Sequence, residues 1–296
     1  MKNTSLIEPP FNYTGSKFKS LYQLIPLFDT TRTRFVDLFS GGGSVWSNVV
    51  DLYPAVVAND IIHHLIDVQR KLITDPTATI ATTRSLCVAK DDQVGYHKLR
   101  DDFNANPTPE KLWALMICCT NNMMRFNRSW GFNQTFGKRT FNDRTLAKAT
   151  AWASQLQPLL DRIAFKSLDF EKVGVLPTDY LFLDPPYSNT EAGYNAYWRK
   201  DDDVRLFNWL CAMHERGVKF MVCGVASHDG ERCRLLDLLT AKGFGLHAIE
   251  KDYSKVARVK RDKETQEVVI LNYTPAFLTP DATAPAINAI PAVAAS

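Results

Sequence analysis

Short apolar runs that alternate with helical patterns constrain the fold of this chain more than any other feature of its sequence. Seven runs have the length and the β-branched or aromatic content of strands, and helical patterns separate several of them. This alternation predicts an α/β fold with a largely parallel sheet covered on both faces. The runs are RFVDLF (34–39), AVVAND (55–60), IAFKSLDF (163–170), YLFLDPP (180–186), KFMVCGV (219–225), FGLHAIE (244–250) and EVVILNY (267–273).

The alternation stops between residues 76 and 162, where helical patterns dominate. We therefore predict one α/β domain made of residues 1–75 and 163–275, with a mainly helical insertion at residues 76–162. Residues 276–296 are rich in Pro and Ala and carry almost no charge or periodicity. This composition predicts a disordered tail.

Several predicted helices carry recognisable end signals. Thr108 is suited to cap the helix that starts at Pro109, because a hydroxyl accepts a backbone N–H and proline fits the first helical position. A later helix is expected to be interrupted near Pro158. After the fourth strand, Asp201 is predicted to cap the start of a helix and Gly217 to end it.

Composition excludes several classes of protein. The chain has 296 residues, of which 45% are hydrophobic, so it is long enough to bury a large core. It contains neither a membrane-length apolar run nor a signal peptide pattern, so we expect a cytoplasmic protein. The six cysteines form no CxxC pair and are expected to be buried free thiols. Adjacent His63 and His64 point about 100° apart on a helix, so no metal site is expected.

The positive charge is distributed unevenly. A net charge of +3 does not by itself indicate a nucleic-acid ligand. Residues 121–148, however, hold six Lys or Arg against one Asp, and residues 251–263 hold six against two. Such segments are often only solvated faces, but their interleaved Asn and aromatic residues favour a phosphate-binding surface.

Three consecutive glycines follow the first predicted strand, in the stretch RFVDLFSGGGSV. Glycine at this place lets a ligand approach the backbone and leaves the N–H groups of the next helix accessible. Asp60 ends the second strand, where a carboxylate can accept both hydroxyls of a ribose, and Asp37 ends the first. Because the pattern is not GxGxxG, an adenosine without a pyrophosphate fits better than a dinucleotide.

The fourth strand runs into the sequence DPPY, residues 184–187. Pro185 and Pro186 cannot donate to a sheet, so they stop the strand and leave carbonyl groups unpaired. The Asp184 carboxylate and such a carbonyl together form a site for an NH2 group with two donors, and Tyr187 offers a flat face for a ring. This arrangement suits alkylation of an amine through orientation rather than through a base. The simpler alternative is a strand stop without function.

These motifs, in this order, resemble those of a known family. FNYTGSK (11–17), FVDLFSGGGSV and DPPY together resemble the Dam-type DNA adenine N6-methyltransferases of the D12 class, alpha group. NNMMRFNRSWGFNQTFGKRTFN (121–142) is similar to their recognition hairpin, especially in bacteriophage enzymes, with Thr135 in place of the usual proline. The resemblance covers residues 9 to 275 and implies a Rossmann-like seven-stranded methyltransferase sheet with an inserted DNA-recognition subdomain.

The resemblance also implies residue roles. The positions that match S-adenosylmethionine-binding residues are Tyr13, Gly15, Lys17, Asp37, Phe39, Gly41, Gly43, Asp60, Asp169, Phe170 and Asp184. Those that match residues holding and stacking the target adenine are Asp184, Pro185, Pro186 and Tyr187. The candidates for DNA contacts are Asn122, Arg125, Asn127, Arg128, Lys138 and Arg139.

The implied activity is transfer of a methyl group from S-adenosylmethionine to N6 of an adenine flipped out of double-stranded DNA, within GATC or a related short site. No membrane or metal is expected as a partner. The protein is expected to be a monomer, with a dimer on DNA as the alternative, in the cytoplasm of a bacterium or a phage-infected host. Two other functions compete: an RNA adenine or protein-glutamine methyltransferase, and a catalytically silent DNA-binding module. Asp184 and the basic insertion argue against a protein substrate, and Lys17 and Asp60 argue against a silent module.

Overall fold

The computed structural model describes most of the chain, namely residues 6–127, 129–186, 198–228, 231–249 and 266–275. Several sequence predictions lie outside these residues. They concern Arg128, Tyr187, the basic segment 251–263 and the tail 276–296.

Every predicted strand is present within the described residues, although several are shorter than the apolar runs that predicted them. Two additional strands of two residues each, β6 and β7, pair only with one another. The strands are β1 Arg34–Asp37, β2 Ala55–Asn59, β3 Ile163–Lys166, β4 Asp179–Leu183, β5 Lys219–Val225, β6 Ser227–His228, β7 Glu231–Arg232, β8 Gly245–Ala248 and β9 Glu267–Leu271.

The main sheet has seven strands in the order β3-β2-β1-β4-β5-β9-β8. β1 and β2, β2 and β3, and β4 and β5 pair in parallel. β9 runs antiparallel to both β5 and β8. The strand order requires crossover connections, which helices provide. The predicted Rossmann-like α/β fold with a largely parallel sheet is therefore confirmed.

Helices account for most of the remaining described structure. Several lie between residues 76 and 162, as the sequence predicts. In chain order the helices are α1 Leu21–Leu24, α2 Trp46–Val49, α3 His63–Thr74, α4 Pro76–Leu86, α5 Gln93–Ala105, α6 Pro109–Cys118, α7 Asp143–Leu156, α8 Lys200–Glu215 and α9 Arg234–Ala241. Within the described residues, none combines the length and the apolar character that crossing a bilayer requires.

Contacts within the chain define two compact units. The first comprises residues 1–19 and 34–173, and the second comprises residues 20–33 and 174–296. The first unit therefore contains β1, β2 and β3 together with α2 to α7. The boundaries of a separate insertion at residues 76–162 stay a prediction.

Local sequence signals set the ends of the helices in the first unit. The Thr108 hydroxyl accepts a hydrogen bond from the backbone N–H of Lys111 at 3.3 Å, with Pro109 at the first position of α6, as predicted. The last helix of this unit, α7, ends at Leu156, and a 3-10 turn containing Pro158 follows it. The expected interruption near Pro158 is thus confirmed.

The predicted cap of α8 is wrong. The helix starts at Lys200, one residue before Asp201, and Arg199 is its N-cap. The Asp202 carboxylate accepts a hydrogen bond from the backbone N–H of Arg199 at 2.8 Å, so the acid acts from the third helical position instead of capping directly. The end is as expected, because Gly217 adopts a φ of +78° after the helix.

The thiols also follow the sequence prediction. All six cysteines are free, and Cys118, Cys119, Cys223 and Cys233 are buried, whereas Cys87 and Cys211 are partly exposed. Within the described residues, no three His, Cys, Asp or Glu side chains come together as a metal site would require.

The partly buried carboxylate of Asp29 stabilises the second unit. The Lys219 ammonium lies 2.8 Å from Asp29 Oδ2, and the Thr31 hydroxyl donates to Asp29 Oδ1 at 2.6 Å. Burial alone would raise the pKa of Asp29, but the hydrogen bonds from Lys219, Thr31 and Arg32 hold it well below its usual range. Because Lys219 begins β5, these contacts fix residues 29–32 to the sheet.

We predict that Asp29→Asn lowers the free energy of unfolding at pH 7 by about 1–2 kcal/mol, because the bonds from Lys219 and Arg32 lose their charged acceptor. A depressed carboxyl pKa stabilises the fold above the unfolded-state pKa of about 4, and this contribution disappears as the pH falls further. The difference between Asp29→Asn and wild type should therefore shrink below about pH 4.

Urea denaturation at several pH values measures this difference. The control is Asp67→Asn, which breaks an exposed 2.7 Å ion pair with Arg70 and should cost about 0.5 kcal/mol or less. Equal losses from the two variants would show that the Asp29 contacts contribute nothing beyond a surface ion pair.

Candidate functional site

The glycine turn after β1 leaves no room for side chains. Gly41 and Gly43 have φ values of +48° and +80°, which β-carbons disfavour. A Cβ built on Gly41 would lie 2.7 Å from Tyr13 Cε1, and one on Gly42 would lie 2.7 Å from Tyr13 Cβ. The structure thus brings Tyr13 of the N-terminal motif against the turn. At Gly41 only glycine allows both the backbone conformation and the contact with Tyr13.

Asp60 holds this turn through its buried carboxylate. Asp60 Oδ2 accepts a hydrogen bond from the Gly41 backbone N–H at 2.9 Å, and Oδ1 accepts one from the Ile62 N–H at 2.9 Å. Burial raises the pKa of Asp60 to about 6, although these two bonds oppose the rise. Each oxygen keeps a second acceptor position, so the carboxylate can still accept hydroxyl groups of a ligand.

Asp37 and Lys17 are the other buried charged groups near the turn. Asp37 Oδ2 accepts a hydrogen bond from the backbone N–H of Trp46 at 3.3 Å, where α2 begins. The Lys17 ammonium donates to the backbone oxygen of Gly15 at 3.2 Å. Both side chains are at least 94% buried, since 1% of Asp37 and 6% of Lys17 are exposed. Their burial fits roles in binding a polar ligand or in shaping its site.

Two polar side chains connect the turn to its surroundings. Gln69 of α3 donates to the Gly41 carbonyl at 2.7 Å and accepts from the Trp46 indole N–H at 2.9 Å. Asn59, at the end of β2, donates to the carbonyl groups of Leu38 and Leu168 at 3.0 Å and accepts from the Leu168 N–H at 3.0 Å. This side-chain bonding replaces sheet pairing at Leu168 and explains why β3 ends early.

Asp169 and Phe170 come directly after Leu168 in the chain. Asp169 Oδ1 accepts a hydrogen bond from the backbone N–H of Glu171 at 3.1 Å and starts a short 3-10 turn. The Phe170 ring is buried and lies 6.1 Å from the Phe39 ring, tilted by 39°. Phe39 and Phe170, which sequence reasoning placed together at a cofactor, are therefore in contact range in the first unit.

The DPPY motif belongs to the second unit. All five residues of β4 are buried, and the strand ends at Leu183, directly before Asp184. Asp184 and Pro186 are half-buried, and Pro185 is buried. The predicted strand stop is confirmed, and it leaves Asp184 at the carboxyl end of a buried strand, where open α/β sheets bind ligands.

Residues 125–127 and 129–133 form an antiparallel hairpin, the basic hairpin. Phe126 and Phe132 pair across it, and the Asn133 N–H donates to the Arg125 carbonyl at 3.0 Å. At its tip, Asn127 Oδ1 accepts from the backbone N–H groups of Ser129 and Gly131 at 3.0 and 2.9 Å. The hairpin therefore closes with its own hydrogen bonds.

The basic hairpin is fastened to α5 and α3. The Asn104 side chain accepts from the Phe132 N–H at 2.7 Å and donates to the Phe132 carbonyl at 3.1 Å. Phe126 and Phe132 are buried, and Phe103 of α5 packs against both. The His64 ring stacks on Phe126 with centroids 5.9 Å apart and an angle of 23°. The hairpin is thus a fixed part of the first unit.

The sequence matches a known protein family over most of its length. A family model described as "D12 class N6 adenine-specific DNA methyltransferase" matches residues 13–254. That span includes the glycine turn, the basic hairpin and Asp184. The chain belongs to this family. The resemblance seen in the motifs is confirmed at the level of the D12 class, and the particular likeness to bacteriophage enzymes stays a prediction.

Curated relatives support the assignment. Modification methylase StsI of Streptococcus sanguinis is 29% identical over 287 residues, which are 90% of this chain and 43% of StsI. Type II methyltransferase M.FokI of Planomicrobium okeanokoites is 29% identical over 287 residues, which are 92% and 44% of the two chains. Modification methylase LlaI of Lactococcus lactis subsp. lactis is 26% identical over 288 residues, with the same 92% and 44%. The chain thus spans less than half the length of these relatives.

In this D12 protein, the residues expected to contact DNA differ in the contacts that they make within the protein. Arg125 donates from Nε to Asn133 Oδ1 and from Nη2 to the Asn133 carbonyl, both at 2.9 Å, although its side chain is exposed. Asn127 forms the hairpin tip. These contacts give both residues a role in hairpin structure, and their contacts with bases stay a prediction. Asn122 lies in a 3-10 turn, and Lys138 and Arg139 are exposed.

Sequence reasoning missed Asn59 and Gln69. Gln69 occupies a core position of α3, since the neighbouring buried residues of that face are Leu65, Leu72 and Ile73. A polar residue at a position with helical core spacing, and another within the apolar run AVVAND, are signals that both side chains must find hydrogen bonds. Identifying their partners required the tertiary structure.

The half-buried His64 generates a prediction about acid stability. Burial, with a smaller contribution from the charge of His63, lowers the pKa of His64 to about 4. The unfolded chain therefore binds this proton more tightly than the folded chain, so stability falls as the pH decreases from about 6.5 towards 4. We predict that His64→Phe removes about 1 kcal/mol of the loss between pH 7 and pH 5.

Thermal denaturation at the two pH values measures this effect. His63→Phe serves as the control, because the His63 side chain is exposed and should leave most of the pH dependence in place. If His64→Phe and wild type lose the same stability between pH 7 and pH 5, His64 is not the titrating group.

Proposed function

We propose that this protein transfers a methyl group from S-adenosylmethionine to N6 of an adenine in double-stranded DNA. The match to the D12 family over residues 13–254 carries this proposal, because it includes both the glycine turn and Asp184. The names of the relatives, two modification methylases and a type II methyltransferase, support a DNA substrate and a role in restriction and modification. Protection of a phage genome is the alternative role.

The glycine turn fits the cofactor. Gly41, Gly42 and Gly43 offer backbone without side chains, and the buried Ser40 hydroxyl has no hydrogen-bond partner among the described residues. Such a hydroxyl fits a site for a polar ligand. We propose that Asp60 binds the ribose hydroxyls and that Lys17 binds the carboxylate, while Asp169 accepts the adenine amino group. When bound, S-adenosylmethionine supplies an electrophilic methyl group.

Asp184 is proposed to orient the target amino group. Its carboxylate and a neighbouring proline carbonyl accept the two N–H bonds of the adenine N6, which aims the nitrogen lone pair away from the ring. Pro185 and Pro186 have no backbone N–H, so neither competes for these acceptors. The transfer then depends on position and electrostatics and requires no separate base.

The adenine must leave the duplex to reach such a site. Flipping costs roughly a few kcal/mol in lost stacking and base pairing. Stacking on one aromatic ring offsets about 1–3 kcal/mol of this cost. We propose that Tyr187 provides this ring. The basic hairpin is proposed to read the site, GATC or a related short sequence, because arginine pairs with guanine and asparagine with adenine in the major groove. Lys138 and Arg139 are proposed to contact phosphates.

The competing functions differ in substrate. An RNA adenine or a protein glutamine would present a similar amino group to Asp184. The name of a further relative, retron Ec67 DNA adenine methylase of Escherichia coli, 26% identical over 178 residues, favours DNA adenine. A silent DNA-binding module is disfavoured because Lys17, Asp60 and Asp184 are all retained.

We predict that Asp184→Ala reduces methyl transfer at least a thousandfold, about 4 kcal/mol, because the target amino group loses its charged acceptor. Asp184→Asn keeps one acceptor oxygen and should retain measurable activity. Incorporation of tritiated methyl groups into duplex DNA measures both, with circular dichroism to confirm folding. Wild-type rates in Asp184→Ala would exclude the proposed role of Asp184.

The contact between Arg125 and Asn133 allows a test of whether Arg125 recognises a DNA base. If Arg125 contacts a base, Arg125→Ala should relax the choice of site by about 1–3 kcal/mol at one base pair. Asn133→Ala removes one acceptor of the Arg125 side chain but keeps the guanidinium, so it should weaken DNA binding without changing the site. Methylation of a randomised duplex library, read by sequencing, distinguishes the two. Equal relaxation by both variants would assign Arg125 to hairpin structure alone.

A further inference from the structure

A cavity of about 550 Å³ lies in the first unit, apart from the glycine turn. All of its lining residues fall between residues 10 and 145, on the N-terminal segment, α6, the start of α7 and two loops. Neither the glycine turn nor Asp60 lines it. Lys138 and Arg139, proposed above to contact phosphates, do line it, but the roles proposed above do not explain the enclosed volume or its aromatic wall. Its volume exceeds that of a lone phosphate several times over.

The rim of the cavity favours an anion. Lys90, Lys138 and Arg139 line it, and no Asp or Glu is among its lining residues, all of which are described. The N-terminus of the 14-residue helix α7 also faces it through Asn142 and Thr145. Unpaired N–H groups and the helix dipole attract negative charge to such an end.

The cavity wall is aromatic. Trp113 lies between Phe11 and Phe141, with ring centroids 5.7 and 6.0 Å away, both in edge-on geometry. Trp113 is fully buried, yet its indole N–H has no hydrogen-bond partner among the described residues. A buried donor without a partner is unfavourable unless a bound group supplies the acceptor. Trp113 is among the residues that line the cavity, so a bound group is one way to supply the missing acceptor.

The backbone at the rim is specifically constrained. Gly137 donates its N–H to the Cys118 carbonyl at 2.8 Å, and a Cβ on Gly137 would overlap the Cys119 carbonyl. Lys138 follows with a φ of +53°, a conformation that few residues other than glycine adopt. Strained backbone of this kind is characteristic of binding sites. Here it holds Lys138 and Arg139 at the cavity.

We propose that this cavity is a nucleotide-binding pocket, distinct from the site of the target adenine. Lys90, Lys138, Arg139 and the start of α7 bind the phosphate, and the base packs on the aromatic wall and accepts the Trp113 indole N–H. Phosphate alone would leave the wall and the indole unused, and an apolar ligand would leave the cations unused. The nucleotide is part of the DNA substrate, which rests on the proposed function, or a free nucleotide.

The binding test uses the full chain labelled with 15N-tryptophan. Adding dAMP should shift the Trp113 indole signal, which is assigned by its loss in Trp113→Phe, at concentrations about tenfold below those at which inorganic phosphate acts, because the base adds stacking. Absence of a shift with dAMP, or equal potency of phosphate and dAMP, would overturn the proposal.

Matched variants locate the site. Thr140→Trp places an indole within the cavity and should abolish the response to dAMP, whereas Thr82→Trp, on the exposed face of α4, should leave it unchanged. Lys90→Ala should weaken dAMP binding about fivefold, and Lys98→Ala, an exposed lysine outside the cavity, should not. Equal effects within either pair would place dAMP elsewhere and overturn the proposal.

Duplex DNA distinguishes the two sources of the nucleotide. If DNA supplies it, a duplex competes with dAMP for the Trp113 signal, and Thr140→Trp lowers DNA affinity about tenfold while Thr82→Trp does not. If Thr140→Trp loses dAMP binding but keeps its DNA affinity, DNA is not the source of the nucleotide, and the pocket is assigned to a free nucleotide. Failure of the unaltered chain to methylate DNA, with the dAMP response intact, would count against the proposed function and not against the pocket.

Discussion

The conformation of the glycine turn in the first unit depends on the buried carboxylate of Asp60. It accepts the N–H groups of Gly41 and Ile62, so it ties the turn after β1 to the segment that begins α3. A charge so buried is costly unless hydrogen bonds compensate it. Its raised pKa reports that this compensation is incomplete. Hydroxyl groups of a ligand, such as the ribose proposed above, could occupy the remaining acceptor positions of this carboxylate.

Other buried polar side chains extend the same constraint. Gln69 connects the Gly41 carbonyl to the Trp46 indole, and Asp37 accepts the Trp46 backbone N–H. Each of these bonds is made in a low-dielectric interior, where a missing partner costs more than a formed bond contributes. The turn therefore has one well-defined conformation, and only glycine is compatible with it where Tyr13 packs against the backbone.

Sequence predicted the fold where local chemistry decides it. Runs such as YLFLDPP determine both where a strand forms and where it ends, and Thr108 with Pro109 determines where a helix begins. The prediction failed at the start of α8, where Asp202, and not Asp201, accepts the hydrogen bond at the helix start. Of the site, motifs identified Asp60 and the glycines, but the partners of Gln69 and Asn59 arise from contacts between segments far apart in sequence, and Arg125 bonds across its hairpin to Asn133. Such contacts leave no periodic pattern to read.

The way Asn104 fastens the basic hairpin has a consequence for how specificity can change. The Asn104 side chain bonds to the backbone N–H and carbonyl of Phe132, and Tyr96 bonds to the carbonyl of Gln134. Neither bond depends on which exposed side chains the hairpin carries. Provided that the buried Phe126 and Phe132 are kept, and with them the structural side chains of Arg125, Asn127 and Asn133, the remaining exposed positions can be exchanged without losing these contacts. If the hairpin reads the DNA site as proposed, exchange of its remaining exposed side chains would direct the same scaffold to new sequences.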